Sequence, residues 1–302
     1  MIKELENEVK RLKIKIHREQ NVEEKIRHTK ELYTKKLELL DLIDQKDKSK
    51  NLGMTAREYL SYVKNLPNNP KYSTGIDKID NNFGGGFESG MFINLAGQSF
   101  AGKTTLALNI IANIAEGRKT AWFNFEMGDR LMGRKLKDLS LTEQQLDNLY
   151  IECISNNLDN LLNEMSLLVE QGVKFFGIDS SMKIEGAKGA QEYLKLGDIS
   201  NRLSKFCARK DATVIFINQM SEENIDAKKL KFKGSGNTIY DSDIALFLVL
   251  DAKENLPMEQ RERFLICSKN RQNEKTFNVA ISEREYKAQI VQEYTTDMPM
   301  VG

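Results

Sequence analysis

The apolar positions of this chain follow two rhythms that change near residue 70. Residues 1–48 contain neither Gly nor Pro. Leu5, Val9, Leu12 and Ile16 recur at spacings of four, three and four, the seam of a coiled coil. A polar stretch from His17 to Asn21 interrupts it, and Ile26, Tyr33, Leu37 and Leu40 resume a similar seam. The pattern predicts one long helix or a helical hairpin. Two short seams do not stabilise an isolated arm, so it must pack on its own core, on a neighbouring subunit or on a second protein. Gly53 breaks the pattern, and Thr55-Ala-Arg-Glu58 has the capping-box form that opens a short helix through Lys64. Pro67-Asn-Asn-Pro70 then reads as a linker.

From residue 71, short apolar runs alternate with helical stretches. The predicted strands are Met91–Ala96, Thr120–Phe125, Val173–Ile178, Thr213–Asn218, Ile244–Leu250, Arg263–Ser268 and Thr276–Ile281. The predicted helices are Lys103–Glu116, Asp129–Leu136, Thr142–Asn148, Leu158–Gln171, Tyr193–Lys210 and Ser235–Tyr240. Near-continuous apolar strands separated by helices indicate an α/β fold, a mostly parallel sheet covered by helices on both faces. The last strands follow one another closely, which predicts an antiparallel edge. The expected organisation is a helical coiled-coil-like arm (1–48), a linker helix and linker (49–70), the α/β domain (71–290) and a C-terminal tail (291–302).

Composition changes this picture little. The 302 residues are 40% hydrophobic and 29% charged, with a formal net charge of +1. Binding to a polyanion must therefore come from a local patch. No run of eighteen apolar residues and no signal pattern occurs, so a cytoplasmic protein with no membrane partner is expected. Cys153, Cys207 and Cys267 form no C-x-x-C pair and read as small buried hydrophobes. His17 and His28 lie in a highly charged segment, where a solvated surface position is expected and metal or acid–base work is not.

The strongest chemical signal is Gly97-Gln98-Ser99-Phe100-Ala101-Gly102-Lys103-Thr104, which meets G-x-x-x-x-G-K-[ST] at every fixed position. It follows an apolar strand and opens a Gly-free helix that continues with Thr105. Such a loop turns its N–H groups toward phosphate oxygens, and the helix aims its positive end at the same point. ATP with Mg²⁺ is the expected ligand: Lys103 meets the β- and γ-phosphates and Thr104 offers a hydroxyl to the metal. Asp179 ends an apolar strand and is the second expected metal-holding residue, acting through water. Glu126 ends another strand and is assigned to the attacking water. Gln219 closes the strand Thr213–Asn218, where its amide can sense the γ-phosphate or simply end the strand. Between Ser221 and Asn237, Lys228, Lys229, Lys231 and Lys233 are followed by Gly234-Ser-Gly236, a composition suited to a phosphate-tracking loop.

Thr74-Gly-Ile-Asp-Lys-Ile-Asp80, Gly84-Gly-Gly-Phe-Glu-Ser-Gly90, the phosphate loop, Asn124-Phe-Glu-Met127, Ile178-Asp179, Asn218-Gln219-Met220, Gly234-Ser-Gly236 through Asp241-Ser-Asp243, and Lys269-Asn-Arg271 occur in this order. The ordered set, over about residues 71–285, resembles the motor domain of DnaB-type replicative helicases. The resemblance implies a RecA-like P-loop ATPase core in a homo-oligomeric, commonly hexameric, ring with ATP between neighbours. It supports Glu126 as the water-activating residue. It implies that Lys269 and Arg271 reach the γ-phosphate of the adjacent subunit. It also implies that the Ser221–Asn237 loop holds single-stranded DNA in a central channel, with Lys233 and Gly236 the best single contacts, and that Lys183–Lys195 is a second channel loop. The chain departs from the family in its arm, which does not read as the helical collar, in Ile239 where a Glu is usual, and in Ser180 where an aromatic is frequent. The leading expectation is an ATP-dependent helicase or translocase. The alternatives are a RecA/RadA-like recombination or repair ATPase, against whose RadA form the lack of a Cys-rich zinc module argues, and a nucleotide-switch scaffold.

Overall fold

The computed structural model describes residues 2–19, scattered positions of 21–42, then 53–65, 69–98, 100–152, 155–220, 241–250 and 262–282. Two compact units divide at Asn68/Asn69.

In the first unit, α1 (Ile2–Arg18) buries Leu5, Val9 and Leu12 of its apolar seam. Helical positions recur between 23 and 42 and fold back on α1, since Lys35 Nζ lies 3.5 Å from Glu8 Oε2. The arm is therefore a hairpin. The resumed seam at Ile26, Tyr33, Leu37 and Leu40 lies outside the described residues. His28 departs from expectation: it is 1% exposed, because it faces inward across the hairpin turn. The side chain of His17 is outside the described residues. Thr55 caps α2 (Ala56–Lys64) with both halves of a capping box. Tyr59, Leu60, Tyr62 and Val63 of α2 are exposed.

The second unit opens with a two-stranded ribbon, β1 (Lys71–Tyr72) and β2 (Phe87–Glu88), flanking α3 (Asp77–Phe83). The main sheet has β3 (Phe92–Gly97), β4 (Thr120–Asn124), β5 (Leu149–Glu152), β6 (Phe175–Asp179), β7 (Thr213–Gln219), β8 (Ile244–Leu250), β9 (Arg263–Asn270) and β10 (Phe277–Ile281). Its order is β10-β9-β8-β3-β7-β6-β4-β5. The pairs from β8 to β5 are parallel, and β9 and β10 make the expected antiparallel edge. Strand β5 was not anticipated, since Leu149–Glu152 is a short edge without a sustained apolar run.

Alternation along each strand feeds two cores. Ile93 and Leu95 face one, with α4 (Lys103–Ala115) contributing Leu106, Ile110 and Ile111, and α5 (Asp129–Asp138) contributing Met132, followed by Leu139 at its C-cap; α6 (Glu143–Asn148) lies against α4. Phe92, Phe123, Phe176 and Phe216 face the other, covered by α7 (Leu158–Glu170) and α8 (Glu192–Lys210). The limits of these helices and strands lie within two residues of expectation, as fraying ends do, and Ile244–Leu250 agrees at both ends. The predicted Ser235–Tyr240 helix and the 291–302 tail lie outside the described residues. Cys207 and Cys267 are buried as expected, and Cys153 is outside the described residues.

Trp122 packs against Gly177 on β6, where an added Cβ would meet Ile111 Cδ1 at 2.3 Å and Trp122 Cε3 at 2.5 Å. Gly177→Ala should therefore destabilise the chain by about 1–3 kcal/mol through overpacking. A urea midpoint unchanged from the parent would show that Trp122 can move aside at no cost.

Candidate functional site

Parallel strands deliver their carboxyl ends to one edge of a sheet, and this is where α/β folds build sites. Here β3 ends at Gly97, level with Gln219 at the end of β7. Strand β6 ends at Asp179, level with Asn124 of β4, two residues before Glu126. These ends line a cleft of about 480 Å³. Phe100, Gly102, Lys103, Thr104, Thr105, Glu126, Met127, Lys135, Asp179, Ser180, Asn218 and Gln219 are among the residues lining it.

The loop is shaped by Gly102 and by one residue each from β8 and β9. Gly102 takes φ 94°, a left-handed conformation open to Gly, and turns the chain into α4. Phe100 also has positive φ and is 81% exposed. Leu250 donates its N–H to Gln98 Oε1 at 3.4 Å. Arg263, almost fully buried on β9, donates Nε to the Ala101 carbonyl at 3.0 Å. Ser99 lies outside the described residues.

Lys103 Nζ donates to the Gly97 and Gln98 carbonyls, both at 2.9 Å. Burial lowers its pKa, while the charges of Glu126 and Asp179 oppose that shift. Thr104 donates Oγ1 to Asp179 Oδ2 at 2.8 Å. Asp179 is fully buried, and its Oδ1 has no hydrogen-bond partner. Burial raises the Asp179 pKa, and the Glu126 carboxylate raises it further; the Thr104 hydrogen bond and Lys103 pull it down. An unsatisfied buried carboxylate oxygen beside a hydroxyl is a hard-oxygen donor set, which fits Mg²⁺. Glu126 stands exposed at the cleft wall on a turn fixed by Asn124, whose Nδ2 donates to the Met127 carbonyl at 2.7 Å and whose Oδ1 accepts the Met127 N–H at 3.3 Å.

Lys269 and Arg271 are not brought into this cleft. Asn270 pairs with Ile244, which is level with Ile93, four residues down β3 from Gly97. That separation is about 13 Å along the strand, and Arg271 lies one residue beyond Asn270 on the opposite edge. Asp243 holds it there, accepting the Arg271 N–H on its carbonyl at 2.9 Å and the guanidinium Nη1 on Oδ1 at 3.1 Å. Asp243 Oδ2 also accepts the Phe92 N–H at 2.9 Å. Burial lowers the Lys269 pKa, with Arg271 adding to the shift and Asp243 and Asp241 opposing it. A buried polar chain crosses between the two edges: Asn218 donates to Asn94, and Asn94 donates to Ser242 Oγ at 3.3 Å. Lys228, Lys229, Lys231, Lys233, Gly234 and Gly236 lie outside the described residues. Of the second expected loop, Lys183 closes a 3-10 turn, Ser181–Lys183, and Gly186 and Gly189 take positive φ.

Sequence reasoning missed Arg263 and Asp243. Asp243 stood within a quoted motif but without a partner, and Arg263 reads as a strand residue until the β9 register brings it under the loop.

Because the folded-state pKa of Asp179 is raised, the native chain holds that proton more tightly than the unfolded chain. The residue therefore destabilises increasingly as pH rises through the window between the unfolded and folded values, and fully above it. Asp179→Asn should raise the melting temperature of the ligand-free chain at pH 7, by roughly 2–4 °C per kcal/mol relieved, with the gain shrinking toward pH 4. An equal or lower melting temperature at pH 7 would remove burial as the cause. Arg263→Met leaves the Ala101 carbonyl without its charged donor and should cost about 1.5–3 kcal/mol in a denaturant melt; a loss under about 0.5 kcal/mol would mean that the contact does not brace the loop.

Residues 72–171 match the model of the DnaB-like helicase C terminal domain. The chain is 25% identical over 230 residues to the replicative DNA helicase DnaB of Treponema pallidum, covering 66% of this chain and 51% of that protein. It is 28% identical over 156 residues to the DNA repair protein RadA of Aquifex aeolicus, covering 50% of this chain and 33% of that protein. It thus spans a third to a half of the length of these relatives. Among solved structures, one described as an ATPase domain superposes with a TM-score of 0.62 at 19% identity, covering 76% of this chain and 94% of that one. A DnaB-like replicative helicase, whose structure was described with its interactions with primase, also gives 0.62 at 17% identity, covering 94% of this chain and 75% of that one. A KaiC-like protein of Pyrococcus horikoshii gives 0.56 at 20% identity, covering 70% and 94%. ATPases of this fold generally use a nucleotide with Mg²⁺. By its sheet order, its phosphate loop and these likenesses, this chain has a RecA-like P-loop ATPase fold, and its residues 72–171 resemble the DnaB-like helicase C terminal domain.

Proposed function

We propose that this chain is an ATP-hydrolysing DNA helicase or translocase, working as a homo-oligomeric ring, hexameric by analogy, that moves along single-stranded DNA. The observation that carries this reading is the separation of the phosphate loop from Lys269-Asn-Arg271 on opposite edges of one sheet. An arginine that cannot reach its own loop, yet is held at an exposed edge by Asp243, suits service to a neighbour's γ-phosphate.

In this reading, residues 71–290 form the motor, 49–70 the linker, 1–48 an arm for a neighbour or partner protein, and 291–302 a tail. Mg²⁺–ATP, when bound, would supply the phosphoanhydride and a cation to offset the phosphate charge. The N–H groups of Gly97–Thr105 and the start of α4 cradle the phosphates, and Lys103 turns from the loop carbonyls to the β- and γ-oxygens. Thr104 and Asp179 would hold the metal. Glu126 orients the attacking water and takes its proton. Gln219 reads the γ-phosphate through its amide. Lys269 and Arg271 from the adjacent subunit neutralise charge that develops on the transferred group. Lys228, Lys229, Lys231, Lys233, Gly234 and Gly236 grip the DNA backbone, and the grip changes with the nucleotide held next door. The second reading, a RecA/RadA-like ATPase that coats DNA as a filament, is favoured by the RadA likeness.

The test is ATP turnover with and without single-stranded DNA. The parent should be stimulated by DNA. Lys103→Ala should lose nucleotide binding, whereas Glu126→Ala and Arg271→Ala should bind without turning over, with rates down by about 10³-fold or more. Mixing the last two variants should restore part of the activity, because some interfaces then pair an intact Glu126 with an intact Arg271. No recovery on mixing, with both variants assembled, would refute the shared site. Filaments in place of closed rings on DNA would favour the second reading.

A further inference from the structure

The hairpin of the first unit holds a group of side chains that ATP chemistry does not use. Glu19 follows α1 directly, and its Oε1 accepts the Asn21 N–H at 3.0 Å. Asn21 Oδ1 in turn accepts the N–H groups of Glu23 and Glu24, at 2.9 and 3.3 Å, and so caps the returning helical segment. Glu24 and His28 stand four residues apart on that segment and share one face.

His28 is buried, and neither Nδ1 nor Nε2 has a hydrogen-bond partner. Its Nε2 lies 3.7 Å from Glu24 Oε2, too long for a hydrogen bond. A buried imidazole left unsatisfied is destabilising, so the surroundings call for a group that takes a nitrogen lone pair. One donor atom each from Glu19, Glu24 and His28 lies within 4.8 Å of the others. Two donors at about 2.0–2.2 Å from a tetrahedral ion stand roughly 3.3 Å apart. Small side-chain rotations therefore close the cluster on a cation. Arg27 Nη2 donates to Glu24 Oε2 at 2.6 Å, an exposed contact with which the ion would compete.

We propose that Glu19, Glu24 and His28 bind one zinc-class divalent cation at the hairpin turn, with water in the remaining position. An imidazole nitrogen with two carboxylates suits Zn²⁺ or Co²⁺; Mg²⁺ and Ca²⁺ take oxygen ligands. The ion ties the end of α1 to the first turn of the returning segment, and so sets the geometry of the arm.

The full chain, kept in excess Mg²⁺ to occupy the Thr104–Asp179 site, is titrated with Co²⁺ and followed by visible absorption. One Co²⁺ per chain is expected, with the strong absorption of a four-coordinate ion, and Zn²⁺ should displace it. His28→Gln should abolish the signal, and Glu24→Gln should weaken binding by about tenfold or more. Far-UV circular dichroism checks that each variant keeps its helix content. Should His28→Gln lose helix, the more exposed Glu19→Gln serves as the second probe and should weaken Co²⁺ binding in a chain that remains folded. Failure of the parent to bind Co²⁺ below millimolar concentration would overturn the proposal. So would equal affinity and spectrum in the parent, His28→Gln and Glu19→Gln. Neither result depends on ATP turnover, so the site and the motor reading stand or fall separately.

Discussion

The structure depends on one constraint: parallel strands must all present their carboxyl ends at the same edge. Backbone direction alone brings Gly97, Asn124, Asp179 and Gln219 to one rim, although up to 122 residues separate them in sequence. Side chains beyond those ends then meet without bespoke loops. The cost is electrostatic. Two carboxylates, Asp179 and Glu126, stand close enough to raise the Asp179 pKa, and Asp179 is buried with one oxygen unsatisfied. Sites often carry such strain, which a bound cation relieves.

The antiparallel edge applies the same constraint in reverse. Because β9 runs against β8, its amino end carries Arg263 up to the phosphate loop, and its carboxyl end carries Lys269 to the far edge. One strand thus braces the loop at one end and presents basic side chains at the other. The buried chain Asn218–Asn94–Ser242 crosses the sheet between the cleft and the segment containing Asp243. Polar groups so deep are kept only when satisfied, and here each of these contacts joins neighbouring strands or their ends.

Much of this was legible in the sequence. Long apolar runs marked the central strands, and the glycines and Lys103 marked the loop, because each carries a local requirement that few other residues meet. The motifs Thr74–Asp80 and Gly84–Gly90 were legible as motifs but not in purpose. Asp80 accepts from the Thr74 N–H and hydroxyl, so the first segment closes on itself, and Gln272 donates to the Phe83 and Gly86 carbonyls, which clamps the second to the turn after β9. Arg263, Asp243 and His28 were misread or passed over for one reason: their partners are set by register or by a chain reversal, which no local pattern encodes. His28 in particular looked solvated because its sequence neighbours are charged, whereas the hairpin turns it inward.

In the proposed motor, the phosphate loop and the basic turn that serves it belong to different subunits. The most direct test is ATP turnover per chain, measured against protein concentration alongside the mass of the species present. Negligible turnover is expected for monomer, rising with assembly to a plateau. A strictly monomeric sample that hydrolyses ATP at the plateau rate would contradict the shared site.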